Sequence, residues 1–321
     1  MSFADSFKNH IHSLDADNFE EAALEVFRYQ WAGNPLYQQY AKSLKRHTDN
    51  VRKLADIPFL PISFFKSHSI KTGDWEEQTT FLSSGTTSSK VRSSHPVRDM
   101  AFYLHNAEAG FENLVGPISD CVFLGLLPSY QKQGNSSLIA MFDHFIEKGK
   151  PPSQYLEKNE YNLNITQAES IILMGVSYAL LDATSFPNYP NLKIMETGGM
   201  KGRRKEMIRN ELHQRLKSNF HTTEIASEYG MTELMSQAYA LTDGIFQFPP
   251  WARVLVRDVN DPLSAVSDGK VGGINIIDLA NIDSCCFIET QDLGKRINKF
   301  QFEVLGRFDN SDIRGCNLMA Q

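Results

Sequence analysis

The chain has 321 residues, 41% of them apolar and including 21 Phe and 11 Tyr, enough for two packed lobes and too much for a disordered polymer. A formal charge of −6 and a pI near 5.9 argue against broad electrostatic attachment to nucleic acid or anionic membranes, both of which favour a basic face. The opening MSFADSFKNH lacks the form of a leader, no stretch is apolar for long enough to cross a bilayer, and Cys121, Cys285, Cys286 and Cys316 make no CxxC, so a cytoplasmic chain with reduced thiols and no zinc site is expected.

Residues 1–80 read as a helical region packed on the core. Asp17 is placed to cap a helix with Glu20 three residues on, and Phe19, Ala22, Leu24 and Phe27 recur at helical spacing. A second helix is expected from Pro35 to Arg46. The two prolines of DIPFLPISFFKSHSI (Asp56 to Ile70) forbid a regular helix, so this stretch is expected to run extended. Residues 81–245 carry short apolar runs separated by helical stretches, the pattern of a largely parallel sheet wrapped by helices. The strands expected are Cys121 to Leu127, Ser170 to Ser177, Leu192 to Thr197 and Thr223 to Gly230, with helices over SLIAMFDHFIEKG and from near Lys201 to Asn219. From Phe246 the helical signal fades, and turns such as SDGKVGG predict a β-rich region over 246–321.

Five segments are suited to chemistry. In FLSSGTTSSKVRSS (Phe81 to Ser94), backbone N–H groups and hydroxyls can surround phosphate oxygens, Gly85 permits close approach and Lys90 neutralises charge. This is not the Walker loop, because GxxxxGK[ST] is absent, and a polar surface turn is the alternative reading. Thr197-Gly198-Gly199-Met200 ends a predicted strand, where two glycines free the backbone to touch a ring or a phosphate. Ser227-Glu228-Tyr229-Gly230-Met231-Thr232-Glu233 supplies an aromatic to stack on a purine, a hydroxyl for phosphate and a carboxylate for Mg²⁺. Asp292, within TQDLG, offers a carboxylate for ribose hydroxyls, and Arg307, in GRFD, offers a guanidinium.

Read in order, SSGTTSSK, TGGMK, EYGMTE, TQDLG and GRFDNSDIRGC resemble the core motifs of the adenylate-forming superfamily of acyl-CoA ligases, luciferases and peptide-synthetase adenylation domains. The resemblance runs from about Phe81 to the C-terminus. The proline-bearing lead-in and compact length are most similar to the acyl-protein synthetases of bacterial bioluminescence and their non-luminous relatives. It implies an α/β fold: the large N-terminal domain of that superfamily, with stacked βαβ sheets and a β-rich subdomain, lacking the usual small C-terminal domain. It also implies ATP and Mg²⁺ as cofactors and a fatty or other carboxylic acid as substrate. Ser83, Ser84, Gly85, Thr86, Thr87 and Lys90 would then hold the β- and γ-phosphates, and Gly198 and Gly199 would lie against the adenine. Tyr229 and Gly230 would complete the base site, Thr232 would meet the α-phosphate, Glu233 the Mg²⁺, and Asp292 and Arg307 the ribose. All are expected to converge on one pocket.

Three departures from the family pattern stand out. Ser88-Ser89-Lys90 is one residue shorter than the usual Gly-x-Pro-Lys ending and has no proline. LLPSYQKQGNSS lacks the His often found at that strand end, leaving Tyr130 as a candidate wall of the acyl pocket. No lysine follows Lys299, so adenylation would proceed without the lysine that most relatives carry in their small mobile domain, use Lys90 or Lys201 in its stead, or be slow.

Cys316 sits next to Arg314 and close to the end of the sequence, where a cation would lower a thiol's pKa, and the resemblance implies that such a Cys is the acylated residue. A small buried Cys is the alternative. Cys121 reads as core, and of the adjacent Cys285 and Cys286 a strand would bury one. His95, His105 and His144 come with no hydrolase motif and read as surface or packing residues. Lys201, Arg203, Arg204 and Lys205 read as a solvated helix start that could also dock an acidic carrier.

The expected enzyme is an acid–thiol ligase that makes acyl-AMP and passes the acyl group to Cys316, to an acyl carrier protein or to CoA, with an acyl reductase as a further candidate partner. Two alternatives remain open at this stage. One is an ATP-independent acyltransferase between thioester carriers, and the other is a non-catalytic nucleotide-fold subunit of an acyl reductase or synthase complex.

Overall fold

The computed structural model describes residues 2–84, 91–128, 134–165, 169–198 and 207–308. Two compact units are present. One comprises residues 1–64, 70–74 and 250–321, and the other 65–69 and 75–249.

In the first unit, Phe19, Ala22, Ala23, Val26, Phe27 and Gln30 form the buried stripe of a helix over Phe19–Gly33. Asn18, not Asp17, occupies its N-cap, without a side-chain bond. The Asp15 carboxylate instead takes the Asp17 and Asn18 N–H groups (2.8 and 3.1 Å), and Glu20 accepts from the Leu54 N–H (3.1 Å), so the expected cap and its partner are engaged elsewhere. Asn34 then caps the next helix, Pro35–Ser43, by accepting from the Tyr37 N–H at 3.0 Å, and Pro35 takes the first-turn position that needs no N–H. The proline-rich stretch forms the short strand β1 (Leu60–Pro61), after which Ile62–Lys66 winds into a 3₁₀ turn that the sequence reading did not anticipate.

The second unit opens with a hairpin of β2 (Thr79–Leu82) and β3 (Ser94–Val97), in which Phe81 faces His95. A helix over Met100–Leu114, capped by Asp99, leads to β4 (Cys121–Leu126), which is buried throughout. A second helix, Ser137–Lys148, precedes β5 (Gln154–Tyr155), then come β6 (Ser170–Val176) and β7 (Leu192–Thr197). Of the helix expected from near Lys201 to Asn219, residues 201–206 lie outside the described residues, and Arg209–Phe220 is helical; Arg209 lies 3.8 Å from the Glu196 carboxylate and over the Phe246 ring (4.8 Å). After it come β8 (Ala226–Tyr229), β9 (Ala238–Ala240) and β10 (Ile245–Gln247). The sheet order is β5-β4-β6-β7-β8-β9-β10, with β5, β4, β6, β7 and β8 parallel and β9 and β10 reversing. Its core is aromatic: Phe111 meets Phe123, Phe145 and Tyr239 with ring centroids 5.0–5.5 Å apart, and each buried Phe contributes about 1.5–3 kcal/mol.

The chain returns to the first unit in an antiparallel sheet of β11 (Ala252–Arg257), β12 (Val271–Asp278), β13 (Phe287–Arg296) and β14 (Gln301–Arg307). Strand β1 joins β13 in parallel, Leu60 opposite Ile288. Cys285 and Cys286 precede β13, and both are fully buried instead of being split between two faces. Gln30 accounts for this: its amide donates to the Ile282 carbonyl at 3.0 Å and accepts from the Cys286 N–H at 2.9 Å, drawing the segment inward. Among the described residues no helix is long and apolar enough to cross a membrane.

Candidate active site

Because β4, β6, β7 and β8 run parallel, their carboxyl ends share one edge of the sheet, where α/β folds bind ligands. That edge carries Ser177 after β6, Thr197 and Gly198 at the end of β7, Tyr229 at the end of β8 and Gly230 to Glu233 after it. Gly198 has φ +74°, a conformation that glycine adopts without a Cβ penalty, and it turns the chain as soon as β7 ends. At Gly230 a Cβ would collide with the Glu228 carboxylate, so this position must stay bare for Glu228 to point inward.

Two acidic residues that the motif reading left unassigned occupy this edge. Glu196 is 6% exposed and Glu228 is 8% exposed, on adjacent strands. Ser177 Oγ donates to Glu196 Oε2 at 3.3 Å, and Arg209 Nε and His213 Nε2 lie 3.8 and 3.7 Å from Glu196 Oε1. Burial pushes the Glu196 carboxyl up, yet His213, Arg209 and Ser227 outweigh it and hold the group below its ordinary value. Among the described residues no cation contributes to Glu228. Burial raises its carboxyl, the Thr197 hydroxyl that donates to it offsets this only in part and the Glu196 charge adds to it, so that the group is pushed up to about 7. The sequence carries a signal for both acids: each stands near the carboxyl end of a strand, where a buried carboxylate is costly without a purpose.

Tyr229 is half-buried, its ring 5.7 Å from that of Phe246 and 6.4 Å from that of Phe248, so one aromatic wall is in place for a flat ligand. Thr232 is half-buried and Glu233 is buried. At the neck of the hydroxyl-rich loop, the Ser83 N–H donates to the Ser93 carbonyl (3.0 Å) and Ser83 Oγ accepts from the Ser93 N–H (2.9 Å), leaving the Ser83 O–H to donate. Ser84 follows the neck. Of the three histidines, His95 is buried edge-on to Phe65, His144 meets the Glu108 carboxylate at 2.7 Å, and His105 is exposed.

In the other unit Asp292 and Arg307 face each other across β13 and β14, with Arg307 Nε donating to Asp292 Oδ1 at 3.2 Å. Asp292 is held by its surroundings while Arg307 keeps a 70% exposed side chain, so the carboxylate is fixed and the guanidinium can reach outward. Sequence reasoning missed what fixes Asp292. The buried Arg257 donates to the carbonyls of Ile274 (2.9 Å) and Thr290 (2.7 Å) and to Asn275 Oδ1 (2.8 Å), and Thr290 Oγ1 accepts from the Asp292 N–H at 3.1 Å. Gly273 makes room for that guanidinium, since a Cβ there would overlap it.

Gly85, Thr86, Thr87, Lys90, Tyr130, Gly199, Lys201 and Cys316 lie outside the described residues. Cys121 is buried, and burial raises its thiol. Cys285 is raised to about 12 and Cys286 well above its ordinary value, again by burial, so none of these three is an activated nucleophile.

The family described as "Acyl-protein synthetase, LuxE" matches residues 138–321. Two ligases named "Long-chain-fatty-acid--luciferin-component ligase" are similar over nearly the whole chain. The one from Vibrio harveyi is 24% identical, covering 91% of this chain and 84% of its own, and the one from Aliivibrio fischeri is 22% identical, covering 92% and 85%. A crystal structure of 2-hydroxyisobutyryl-CoA ligase in complex with 2-HIB-AMP and CoA shares the fold at a TM-score of 0.63 and 13% identity, over 97% of this chain and 70% of that one. With its parallel sheet, ordered motifs and match over more than half its length, the chain belongs to the acyl-protein synthetase (LuxE) family, an acid–thiol ligase built on the adenylate-forming fold.

Proposed function

We propose that this chain joins a fatty acid to ATP as an acyl adenylate and then transfers the acyl group to a thiol. A carboxylate oxygen attacks the α-phosphorus, the α–β phosphoanhydride bond breaks and pyrophosphate leaves; a thiolate then attacks the acyl carbonyl carbon and AMP leaves. The observation that carries this reading is the placement of Tyr229, Thr232 and Glu233 beside Gly198 at the carboxyl edge of the parallel strands, in a chain that belongs to this ligase family. The names of the Vibrio and Aliivibrio relatives support the long-chain acid, and the 2-HIB-AMP complex of the structural neighbour supports the adenylate.

In the first step two anions must approach each other, so donors and cations have to screen the developing charge. Thr232 would donate to the α-phosphate, Tyr229 would stack on the base, and Ser83 and Ser84 would contribute hydroxyls at the neck of the phosphate loop. Gly85, Thr86, Thr87, Lys90 and Gly199 complete the proposed nucleotide set, with Asp292 and Arg307 on the ribose. Glu233 is the proposed metal ligand. The ion proposed is Mg²⁺, carried in by the nucleotide phosphates and met by one carboxylate. When bound, that ion neutralises phosphate charge. Cys316 is the proposed acyl acceptor within the chain, with CoA or a carrier protein as the outside thiol, and a neighbouring acyl reductase as the consumer of the product.

Intact-protein mass and pyrophosphate exchange test both steps. With ATP, Mg²⁺ and fatty acids of several lengths, exchange is expected for at least one acid, together with a mass increase of one acyl group that Cys316→Ser abolishes. Absence of exchange with every acid would overturn the reading, whereas exchange without a mass increase would move the acceptor to an outside thiol.

A further inference from the structure

His95 lies two residues beyond Ser93, which closes the neck of the hydroxyl-rich loop, and it is 1% exposed on β3. Its ring stands edge-on to Phe65, with centroids 5.7 Å apart and planes at 90°, and Ser94 Oγ donates to the Phe65 carbonyl at 3.5 Å, so both ring and strand are held. His95 Nδ1 is 2.8 Å from the Thr232 carbonyl oxygen. A carbonyl can only accept, so the proton of this bond resides on Nδ1. A second buried side chain holds the same turn from another element: Asn106, on the helix Met100–Leu114, donates to the Met235 carbonyl at 2.8 Å and to Ser236 Oγ at 3.2 Å. The turn is tightened internally by the Leu234 N–H donating to the Met231 carbonyl at 3.1 Å.

We infer that His95 is a positioning residue that ties β3, preceded by the Ser93 that pairs with Ser83, to the Thr232–Ser236 turn, so that the Ser83 hydroxyl and the Thr232 and Glu233 side chains are presented in one fixed relation. This inference rests on the reading that Thr232 and Glu233 face the nucleotide. Groups that screen charge in the transition state must be placed to within a fraction of an ångström, and a buried bond to the backbone of the very residue that donates is a direct way to do that. The ring supplies the rigidity and the Nδ1 proton supplies the direction, with Asn106 fixing the far end of the turn.

The test separates the bond from the ring. His95→Phe keeps an aromatic against Phe65 and removes the donor, while His95→Asn restores an N–H near the Nδ1 position. For fatty-acid-dependent pyrophosphate exchange by the full chain, His95→Phe is expected to lower kcat about 10–100-fold with the acid KM changed less than about threefold, because misplacement acts on the transition state more than on ground-state binding. His95→Asn is expected to recover most of that loss. Asn106→Leu is expected to lower kcat in the same direction, an independent check should His95→Phe fold poorly. Hydrogen exchange supplies a readout independent of chemistry: amides of residues 232–236 should lose protection in His95→Phe while those of the helix Ser137–Lys148 do not. Exchange activity in His95→Phe within about twofold of the unaltered chain would overturn the inference, as would equal losses in the Phe and Asn variants with protection lost throughout. An unaltered chain inactive with every acid, yet with protection of 232–236 that depends on His95, would overturn the ligase reading and with it any catalytic meaning of the tie.

Discussion

Both units bury polar side chains, but they satisfy them differently. In the antiparallel unit much of the bonding is to backbone: Arg257 to the Ile274 and Thr290 carbonyls, beside its bond to Asn275, Gln30 to the Ile282 carbonyl and the Cys286 N–H, and Thr72 to the Ser284 carbonyl at 2.6 Å. In the parallel unit the buried groups at the carboxyl edge meet each other, Glu228 with Thr197 and Glu196 with Ser177, His213 and Arg209. Backbone carbonyls do not titrate and side chains do. The partner, more than burial, decides what a buried group can do. Polar groups bonded to backbone fix the segment they hold, as His95 fixes the Thr232 turn, and ionisable groups facing one another hold energy that changes with protonation.

The comparison can be broken first at Arg257. Arg257→Ala would leave two carbonyls and Asn275 without their donor and Glu289, 3.6 Å away, without its cation. A loss of about 3–5 kcal/mol in denaturant unfolding is expected, and a loss below about 1 kcal/mol would show that the backbone-bonded network is not what holds the antiparallel unit.

The opposite sign is expected in the parallel unit. The unfolded Glu228 carboxyl ionises near 4.5 and the folded one near 7, so between these values the unfolded state gives up its proton first and the fold loses stability as pH rises. Glu228→Gln removes that loss. Relative to the unaltered chain it should be close to neutral at pH 5 and more stable by up to about 3 kcal/mol at pH 8, read as a pH-dependent gain in Tm. A variant less stable at both pH values would mean that the carboxylate is compensated after all.

A smaller effect sharpens the point from the other side. Gln30→Leu keeps the volume but strips the donor and acceptor from the 281–286 segment, and is expected to cost about 2 kcal/mol with no dependence on pH between 5 and 8. The smallest effect belongs to Arg307. Its side chain is largely exposed, so Arg307→Ala should change stability by less than about 1 kcal/mol. In the same variant, the ATP KM of pyrophosphate exchange should rise if Arg307 meets the nucleotide; a KM unchanged within error would remove it from the proposed ribose site.

The sequence by itself determined the classes of element and the order of the motifs. Apolar runs such as CVFLGL and SIILMGV can satisfy backbone and side chain together only inside a covered parallel sheet, and LKIMET ends where β7 ends. The family was readable for the same reason, since Tyr229, Thr232 and Glu233 sit together within one short segment and Asp292 and Arg307 lie in two further motifs. What only the tertiary structure decided are the relations between residues distant along the chain. The capping box expected at Asp17 gave way because Glu20 found Leu54, Arg209 meets Glu196 and Phe246, and both Cys285 and Cys286 adjoin the bonds that Gln30 makes. Glu228 titrates near 7, and His95 reaches the Thr232 carbonyl, for that same reason. Periodicity reports which face of an element is buried, whereas a pKa or a hydrogen bond depends on what lies opposite, and that is fixed only when separate strands and helices come together.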